Sequence, residues 1–261
     1  MSLCQSNISN YDEAIKLSKR CYRIRCRILG KEQPDTLISL NNLSSHYSSL
    51  GRYEKALELA EKCYESMCKV YGKEHPDTLI SLSNLASCYA HLGDYEKAIE
   101  LAEKCYEARY RILGKEHPNT LNSLNNLASR YSDLGDYEKA IELAKECYEA
   151  SCRILGKEHP NTLNSLNNLA SIYLYLGDYK KVIKPLHECY EARSRILGKE
   201  HSDTLISLSN LASIYSVLGD YENALEFEKE CYEARCRILG KEHPDTIATL
   251  KNLEFIRRKL K

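Results

Sequence analysis

The sequence predicts an all-α protein, an α-solenoid of antiparallel helix pairs with about 12 helices. Its 11 glycines fall into two series with a constant spacing of 42 residues. Residues 77–118 and 119–160 are identical at 32 of 42 positions, which indicates an array of stacked units. One series contains Gly30, Gly72, Gly114, Gly156, Gly198 and Gly240, and the other contains Gly51, Gly93, Gly135, Gly177 and Gly219.

Each unit contains two helical patterns. The first pattern runs from about Asp35 to Leu50, after Pro34, which suits an initial helical turn, and before Gly51, which suits a C-terminus. Its apolar residues lie three or four apart, at Leu37, Leu40, Leu43, Tyr47 and Leu50.

The second pattern runs from Tyr53 to Tyr71 and ends at Gly72. Its apolar stripe consists of Tyr53, Ala56, Leu57, Ala60, Cys63, Tyr64 and Val70. Because only a residue or two separates the patterns, the two helices must pack antiparallel.

The repeats are continuous, so we expect one domain over residues 1–261. It would contain a lone helix at about 10–29, five helix pairs over about 35–239 and a lone helix at about 245–260. Pro185 interrupts the pattern inside the fourth second helix. That helix is then either kinked and repacked or lacks its first turn. A harmless kink is favoured over a functional hinge.

Composition excludes several classes of partner. The 37 basic and 37 acidic residues balance, which argues against a nucleic-acid surface and a polybasic membrane patch. The sequence has no apolar run long enough to span a membrane and no signal-peptide pattern at its start. Most of the 12 cysteines recur once per unit, too far apart for disulfides, so we expect reduced thiols and a cytoplasmic location.

The sequence contains no pattern for catalysis, and we predict no enzyme, no cofactor and no metal. It lacks the phosphate-binding, nucleophile-elbow and zinc-protease motifs. A histidine precedes five of the first helices, at His75, His117, His159, His201 and His243. One histidine per unit cannot converge on a metal ion. Bonding at the helix N-termini is the preferred interpretation of these histidines.

The pattern LxxLASxYxxLGDYEKAIELAxKCYEA resembles the tetratricopeptide repeat. The longer unit, with RILGKEHPDTL between repeats, is similar to the 42-residue version found in kinesin light chains. The resemblance implies a right-handed α-solenoid whose first helices line the concave surface. The coiled coil that precedes the repeats of kinesin light chains is absent from the sequence.

The face of each first helix that lies opposite its core residues carries Asn and Ser rather than Lys or Glu. No Lys or Glu occurs between Thr36 and Leu50, or at the matching positions of the next four units. Lys and Glu are the usual residues of a solvated helix face, whereas Asn and Ser prefer to bond backbone. A row of Asn can pair with an extended backbone, because its amide both donates and accepts. The predicted peptide-binding residues are Asn41, Asn42, Asn84, His91, Asn125, Asn126, Asp133, Asn167, Asn168, Tyr175 and Asn210.

Two observations qualify this prediction. Asn and Ser also suit a crowded inner curve, where Asn can bond a neighbouring helix. Basic residues on this face are limited to Lys251 and Arg130, which argues against a carboxylate clamp and against strongly acidic peptides.

The sequence therefore predicts a non-catalytic module that binds a peptide or an extended segment of a partner protein in the concave groove. One alternative is a regulatory segment of a larger signalling NTPase, to which similar arrays are fused. Another is a structural array that self-assembles by stacking its end repeats. A monomer without nucleic acid or membrane partners is expected, with end-to-end stacking left open.

Overall fold

The computed structural model describes residues 3–260, with side chains from residue 15 onward. Twelve helices and no strand occur within that range, so the all-α solenoid of helix pairs is confirmed. The helices are α1 (Leu3–Ile28), α2 (Pro34–Ser49), α3 (Tyr53–Tyr71), α4 (Pro76–His91), α5 (Tyr95–Leu113), α6 (Pro118–Leu134), α7 (Tyr137–Leu155), α8 (Pro160–Leu176), α9 (Tyr179–Leu197), α10 (Ser202–Val217), α11 (Tyr221–Leu239) and α12 (Pro244–Lys259).

Local signals set the helix boundaries. Five of the first helices begin at a proline, and α10 begins at Ser202. Proline suits this position because the first amide of a helix has no internal partner. At the other end Gly135 takes a φ of 91° as the C-cap of α6, a left-handed conformation that favours glycine.

Three helix pairs, α2–α3, α8–α9 and α10–α11, are each held by a small core that includes one cysteine. Leu37 and Leu40 of α2 pack against Cys63 and Met67 of α3. The thiol of Cys63 also donates a weak hydrogen bond of 3.4 Å to the carbonyl oxygen of Leu37. The same contact joins Cys105 to Leu79, Cys189 to Leu163 and Cys231 to Leu205. The repeated cysteine is thus a small buried filler.

The eleven cysteines among the described side chains are free thiols. Burial raises the pKa of the Cys63 thiol to about 12, which keeps it out of the reactive thiolate form. Cys4 was also predicted to be reduced, and it lies outside the described side chains.

The chain divides into two compact units, Met1–Ala140 and Ile141–Lys261. In the first unit the helices α1 to α5 each pack on the helix that follows, and α2 and α4 also touch the following first helix. In the second unit the helices α8 to α11 each pack on the helix that follows. A single domain over the whole chain stays a prediction.

Three details differ from the expectations. Helix α1 begins at Leu3 rather than near Asn10, because no Gly or Pro interrupts the chain between them. Helix α9 keeps its first turn and continues through Pro185, so the alternative of a lost turn is wrong. Val70 is exposed rather than part of the core stripe. Val70 lies in the last turn of α3, which has 19 residues against 16 in its partner α2, so this turn has less of α2 to pack against.

Candidate functional site

A polar cleft lies between α2, α3 and α4. It has a volume of about 410 Å³. Its lining contains hydroxyl, amide, thiol, imidazole and phenol groups but no Lys, Arg, Asp or Glu from the described residues. The lining residues are Ser44, Ser45, Ser48, Ser49, Tyr53, Asn84, Ser87, Cys88 and His91. Two of the predicted peptide-binding residues, Asn84 and His91, therefore line one concavity.

One side of this cleft is a flat pair of rings. Tyr53 at the start of α3 and His91 at the end of α4 stack with ring centroids 4.9 Å apart and an interplanar angle of 17°. Helices α3 and α4 pack on each other, which places these two helix ends side by side. The pair offers a planar surface on which an aromatic side chain or a peptide plane can lie.

Three serine hydroxyls of the cleft donate hydrogen bonds to backbone carbonyl oxygens of their own helices. Ser45 donates to the carbonyl oxygen of Asn41 at 3.2 Å, and Ser49 donates to that of Ser45 at 3.1 Å. Ser87 makes the same bond to the carbonyl oxygen of Ser83 at 3.2 Å. These bonds to the fourth preceding residue leave the hydroxyl oxygens as acceptors. The cleft consequently suits a ligand that brings N–H donors.

The Asn residues of the first helices partly serve the scaffold. Nδ2 of Asn84 donates to Oδ1 of Asn41 at 3.1 Å, and Nδ2 of Asn126 donates to the hydroxyl of Ser83 at 3.2 Å. Each bond ties one first helix to the preceding one. Asn41 is only 8% exposed, so it does not lie on the open face as the helical pattern suggested. The neighbouring first helix covers it, and a single-helix pattern cannot show that.

One exposed position near the C-terminal end of the first helices has a different residue in each of five repeats, Ser49, His91, Asp133, Tyr175 and Val217. Asp133 lies there beside Arg130, whose Nη1 is 2.9 Å from the carboxylate. Burial raises the pKa of Asp133, while the charges of Arg130 and His91 act to lower it. Tyr175 is 68% exposed at the equivalent position of α8. This position thus presents different chemistry from one repeat to the next.

The remaining predicted residues differ in their surroundings. Asn42 is exposed, whereas Asn125, Asn168 and Asn210 are half-buried. Asn125 and Asn168 each have an interaction with a neighbour. Oδ1 of Asn167 is buried without a hydrogen-bond partner among the described residues.

Sequence reasoning missed one polar cluster, centred on Glu228 of α11. This side chain is 1% exposed, and burial raises its pKa. The hydroxyl of Ser209 donates to Oε2 at 3.3 Å, and Nδ2 of Asn252 donates to Oε1 at 3.0 Å. The signal in the sequence is a carboxylate at a position where three other units have alanine, Ala60, Ala102 and Ala144.

The five linker histidines cap helices, which confirms their predicted role at the helix N-termini. Nδ1 of His117 accepts a hydrogen bond of 3.1 Å from the backbone N–H of Asn119. His75, His159, His201 and His243 make the equivalent bond at 3.2 Å. The accepting nitrogen must be unprotonated.

The described range offers neither a metal site nor a membrane span. No group of three or more His, Cys, Asp or Glu side chains there is arranged to hold a metal ion. None of the helices in that range combines the length and the apolar content needed to cross a membrane.

Solved structures similar to this chain are repeat proteins. A kinesin light chain-like protein of Podosopora anserina with nearly identical TPR-like repeats is 29% identical, with a TM-score of 0.63 over 77% of this chain and 95% of that one. BtubC (BKLC) from P. vanneervenii is 21% identical, with a TM-score of 0.67 over 88% of this chain and 92% of that one. A search of curated proteins finds no match.

Family models agree with these structures. Two tetratricopeptide repeat models together match most of the chain, one over residues 4–69, 50–111 and 77–153, and the other over 162–203 and 204–245. The helix pairs, the joining glycines and the repeated core cysteines belong to the same pattern. The chain is a member of the tetratricopeptide repeat family, whose arrays are protein–protein interaction modules.

Proposed function

We propose that this protein is a non-catalytic interaction module that binds an extended segment of a partner protein along its first helices. The acceptor-rich, uncharged cleft between α2, α3 and α4 is the observation that carries the proposal. An extended peptide has unpaired backbone N–H groups, and the hydroxyl oxygens of Ser45, Ser49 and Ser87 can accept from them.

The chemistry of the cleft defines the class of segment. Because no Lys or Arg lines it, neither a terminal carboxylate nor a strongly acidic segment would find a counter-ion there. The stacked Tyr53 and His91 favour a planar or aromatic side chain. The bound segment is therefore neutral, extended and carries an aromatic residue.

The predicted Asn residues contribute unequally to this function. Asn84 lines the cleft while it bonds Asn41, so one amide hydrogen and its carbonyl oxygen remain for a ligand. His91, Asp133 and Tyr175 occupy equivalent helix ends and give each repeat its own side-chain contact. In the second unit, the exposed ring of Tyr175 plays the part that the stacked pair plays in the first.

We also propose a cytoplasmic location for the protein. The described cysteines are free thiols and several of them reach solvent, such as the exposed Cys21 and the half-buried Cys68, which suits a reducing compartment.

A Rap protein of the same fold, 13% identical, was solved in complex with Competence and Sporulation Factor. That likeness concerns the fold alone, and the ligand of this chain is argued from its own cleft.

Site-specific photocrosslinking tests the proposed function. A benzoylphenylalanine at Ser49, inside the cleft, is compared with one at Lys62, which is exposed on α3. We expect the Ser49 probe to capture one neutral segment of a partner and the Lys62 probe to capture none. A synthetic peptide of that segment should bind the wild type but not Ser45→Tyr, which fills the cleft. Equal capture at both positions, or equal binding by Ser45→Tyr, would show that the cleft is not the binding site.

A further inference from the structure

Helix α1 differs in charge from every other second helix. Residues 15–29 contain six basic residues and no acidic one. Where α1 has Arg23, the other five second helices have Glu65, Glu107, Glu149, Glu191 and Glu233. Where α1 has Lys16, four of the five have glutamate, at Glu58, Glu100, Glu142 and Glu226. The fifth, α9, has Lys184, so only α1 has a basic residue at both positions.

Two of the six basic side chains face α2. Nζ of Lys19 lies 5.1 Å from the ring centroid of Tyr47, and Nη1 of Arg25 donates to the carbonyl oxygen of Asp35 at 2.8 Å. The other four, Lys16, Arg20, Arg23 and Arg27, form one stripe along the helix and border a cleft of about 430 Å³. No ion pair joins this stripe to any residue whose side chain is described.

The counterparts of Arg27 in other second helices show which residues pair with this position. Its counterparts Arg111, Arg195 and Arg237 pair with Glu74, Glu158 and Glu200 respectively. Each of these glutamates lies just before the first helix of the same pair. Arg27 is therefore placed to receive an acidic group at the N-terminal end of a helix packed on α1.

An apolar stripe runs beside the basic one. Leu17 is 61% exposed, Ile24 is 45% exposed and Ile28 is 73% exposed. Cys21 is exposed between them, whereas its counterpart Cys63 is buried against Leu37 of the preceding first helix. The open face of α1 is thus the face that receives a first helix in the complete pairs.

We propose that this face of α1 docks an acidic amphipathic helix of a partner protein, in the place that a first helix occupies in the complete pairs. The apolar residues of that helix would cover Leu17, Ile24 and Ile28, and its carboxylates would pair with the basic stripe. The site is separate from the neutral cleft of the first helices, so it does not depend on the proposed function.

Charge decides between this occupant and a second copy of the chain. Helix α12 is the lone first helix that a second copy would supply. Glu242 precedes α12 as Glu200 precedes α10, so a second copy would give Arg27 one carboxylate. Helix α12 itself contains four basic residues and two acidic ones, so it would bring net positive charge to Lys16, Arg20 and Arg23, which is unfavourable. A solvated end cap is also a poor explanation, because a cap needs a polar face and this one exposes large apolar side chains.

Two synthetic helical peptides of about 17 residues, one helix in length, test the proposal. Both carry Leu at helical spacing; one has Glu at all other positions and one has Lys. Fluorescence anisotropy with the full chain should show that the Glu peptide binds at least about tenfold more tightly than the Lys peptide. Its affinity should fall as salt rises from about 50 to about 300 mM.

Matched variants locate the site. Lys16→Glu with Arg23→Glu restores the residues of other second helices and should weaken binding of the Glu peptide at least about tenfold. Lys62→Glu with Lys69→Glu makes the same charge change on α3 and should leave binding unchanged, as should Ser45→Tyr in the cleft. Leu17→Ser with Ile24→Ser should also weaken binding, and circular dichroism verifies that each variant is folded.

Other outcomes would overturn the proposal. Equal binding of the two peptides would show that charge does not select the partner, and unchanged binding by the Lys16 and Arg23 variant would place the site elsewhere. Concentration-dependent mass in sedimentation that this variant abolishes would assign the face to a second copy. Binding to phosphatidylcholine–phosphatidylserine vesicles without binding to the Glu peptide would assign it to a membrane surface.

Discussion

Nδ2 of Asn84 in α4 donates a hydrogen bond of 3.1 Å to Oδ1 of Asn41 in α2, and so ties together the first helices of two successive repeats. Asn is a poor helix former, and this bond is one compensation for placing it in the middle of a helix. Part of the Asn row is therefore scaffold. The proposed function therefore relies mainly on the serine hydroxyls of the cleft, Tyr53 and His91.

The first prediction tests that bond. Asn84→Ala should lower the free energy of unfolding relative to Asn42→Ala by about 1 kcal/mol, because it leaves the buried Oδ1 of Asn41 without its donor. Asn42 is the matched control, since it occupies the equivalent position in the preceding repeat, is exposed and has no hydrogen bond to another described side chain. The gain in helix propensity is the same in both variants and cancels. Urea unfolding of both variants measures the difference, and equal stabilities would show that the bond contributes nothing.

The second prediction concerns the histidine caps. His117→Ala should destabilise the protein by about 0.5–2 kcal/mol, because the backbone N–H of Asn119 loses its acceptor. His117→Asn should retain most of the stability, since an Asn side chain accepts the same bond. Thermal unfolding followed by circular dichroism compares the two.

Gln33 provides the control for this prediction. It precedes α2 at the equivalent position but makes no side-chain cap bond. Gln33→Ala should therefore change the unfolding temperature less than His117→Ala does. If the two alanine variants lose equal stability, the imidazole does not act as a cap.

The third prediction concerns pH. Burial raises the pKa of Glu228 above that of an exposed glutamate, about 4.3. The carboxyl group of Glu228 therefore binds its proton more tightly in the folded state than in the unfolded state. The resulting contribution to stability is fully present below the pKa of Glu228 in the unfolded state. It is lost as pH rises through the folded-state pKa.

Glu228→Gln removes this dependence. Its amide can accept from Asn252 and donate to the hydroxyl of Ser209, so both contacts survive. Urea midpoints measured from about pH 4 to about pH 8 should show the wild type losing stability relative to the variant as pH increases. A difference that stays constant with pH would mean that Glu228 titrates equally in the folded and unfolded states.

Helix boundaries and helix pairing could be predicted from the sequence because their causes are local. Proline and glycine mark the ends, and apolar spacing marks the packed face, so the predicted bounds of α3 agree with the structure. The burial of Asn41 could not be predicted, because it depends on a residue 43 positions away. Glu228 likewise acquires its partners from α10 and α12, which are 19 and 24 residues away. The polar details of the site arise between repeats, where a single-helix pattern gives no information.

The last prediction concerns Pro185. Proline lacks the N–H that would bond the carbonyl oxygen of Lys181, yet α9 continues through this position. Pro185→Leu restores the residue of the other repeats, such as Leu101, and should raise the free energy of unfolding by up to about 3 kcal/mol. Val182 and Leu186 are buried where other repeats have alanine, so they occupy space that the new leucine would share, and the gain would then be smaller. Urea unfolding of Pro185→Leu and of the triple variant with Val182→Ala and Leu186→Ala separates the two effects. If Pro185→Leu lowers the free energy of unfolding and the triple variant restores it, Val182 and Leu186 fill the space of the missing leucine.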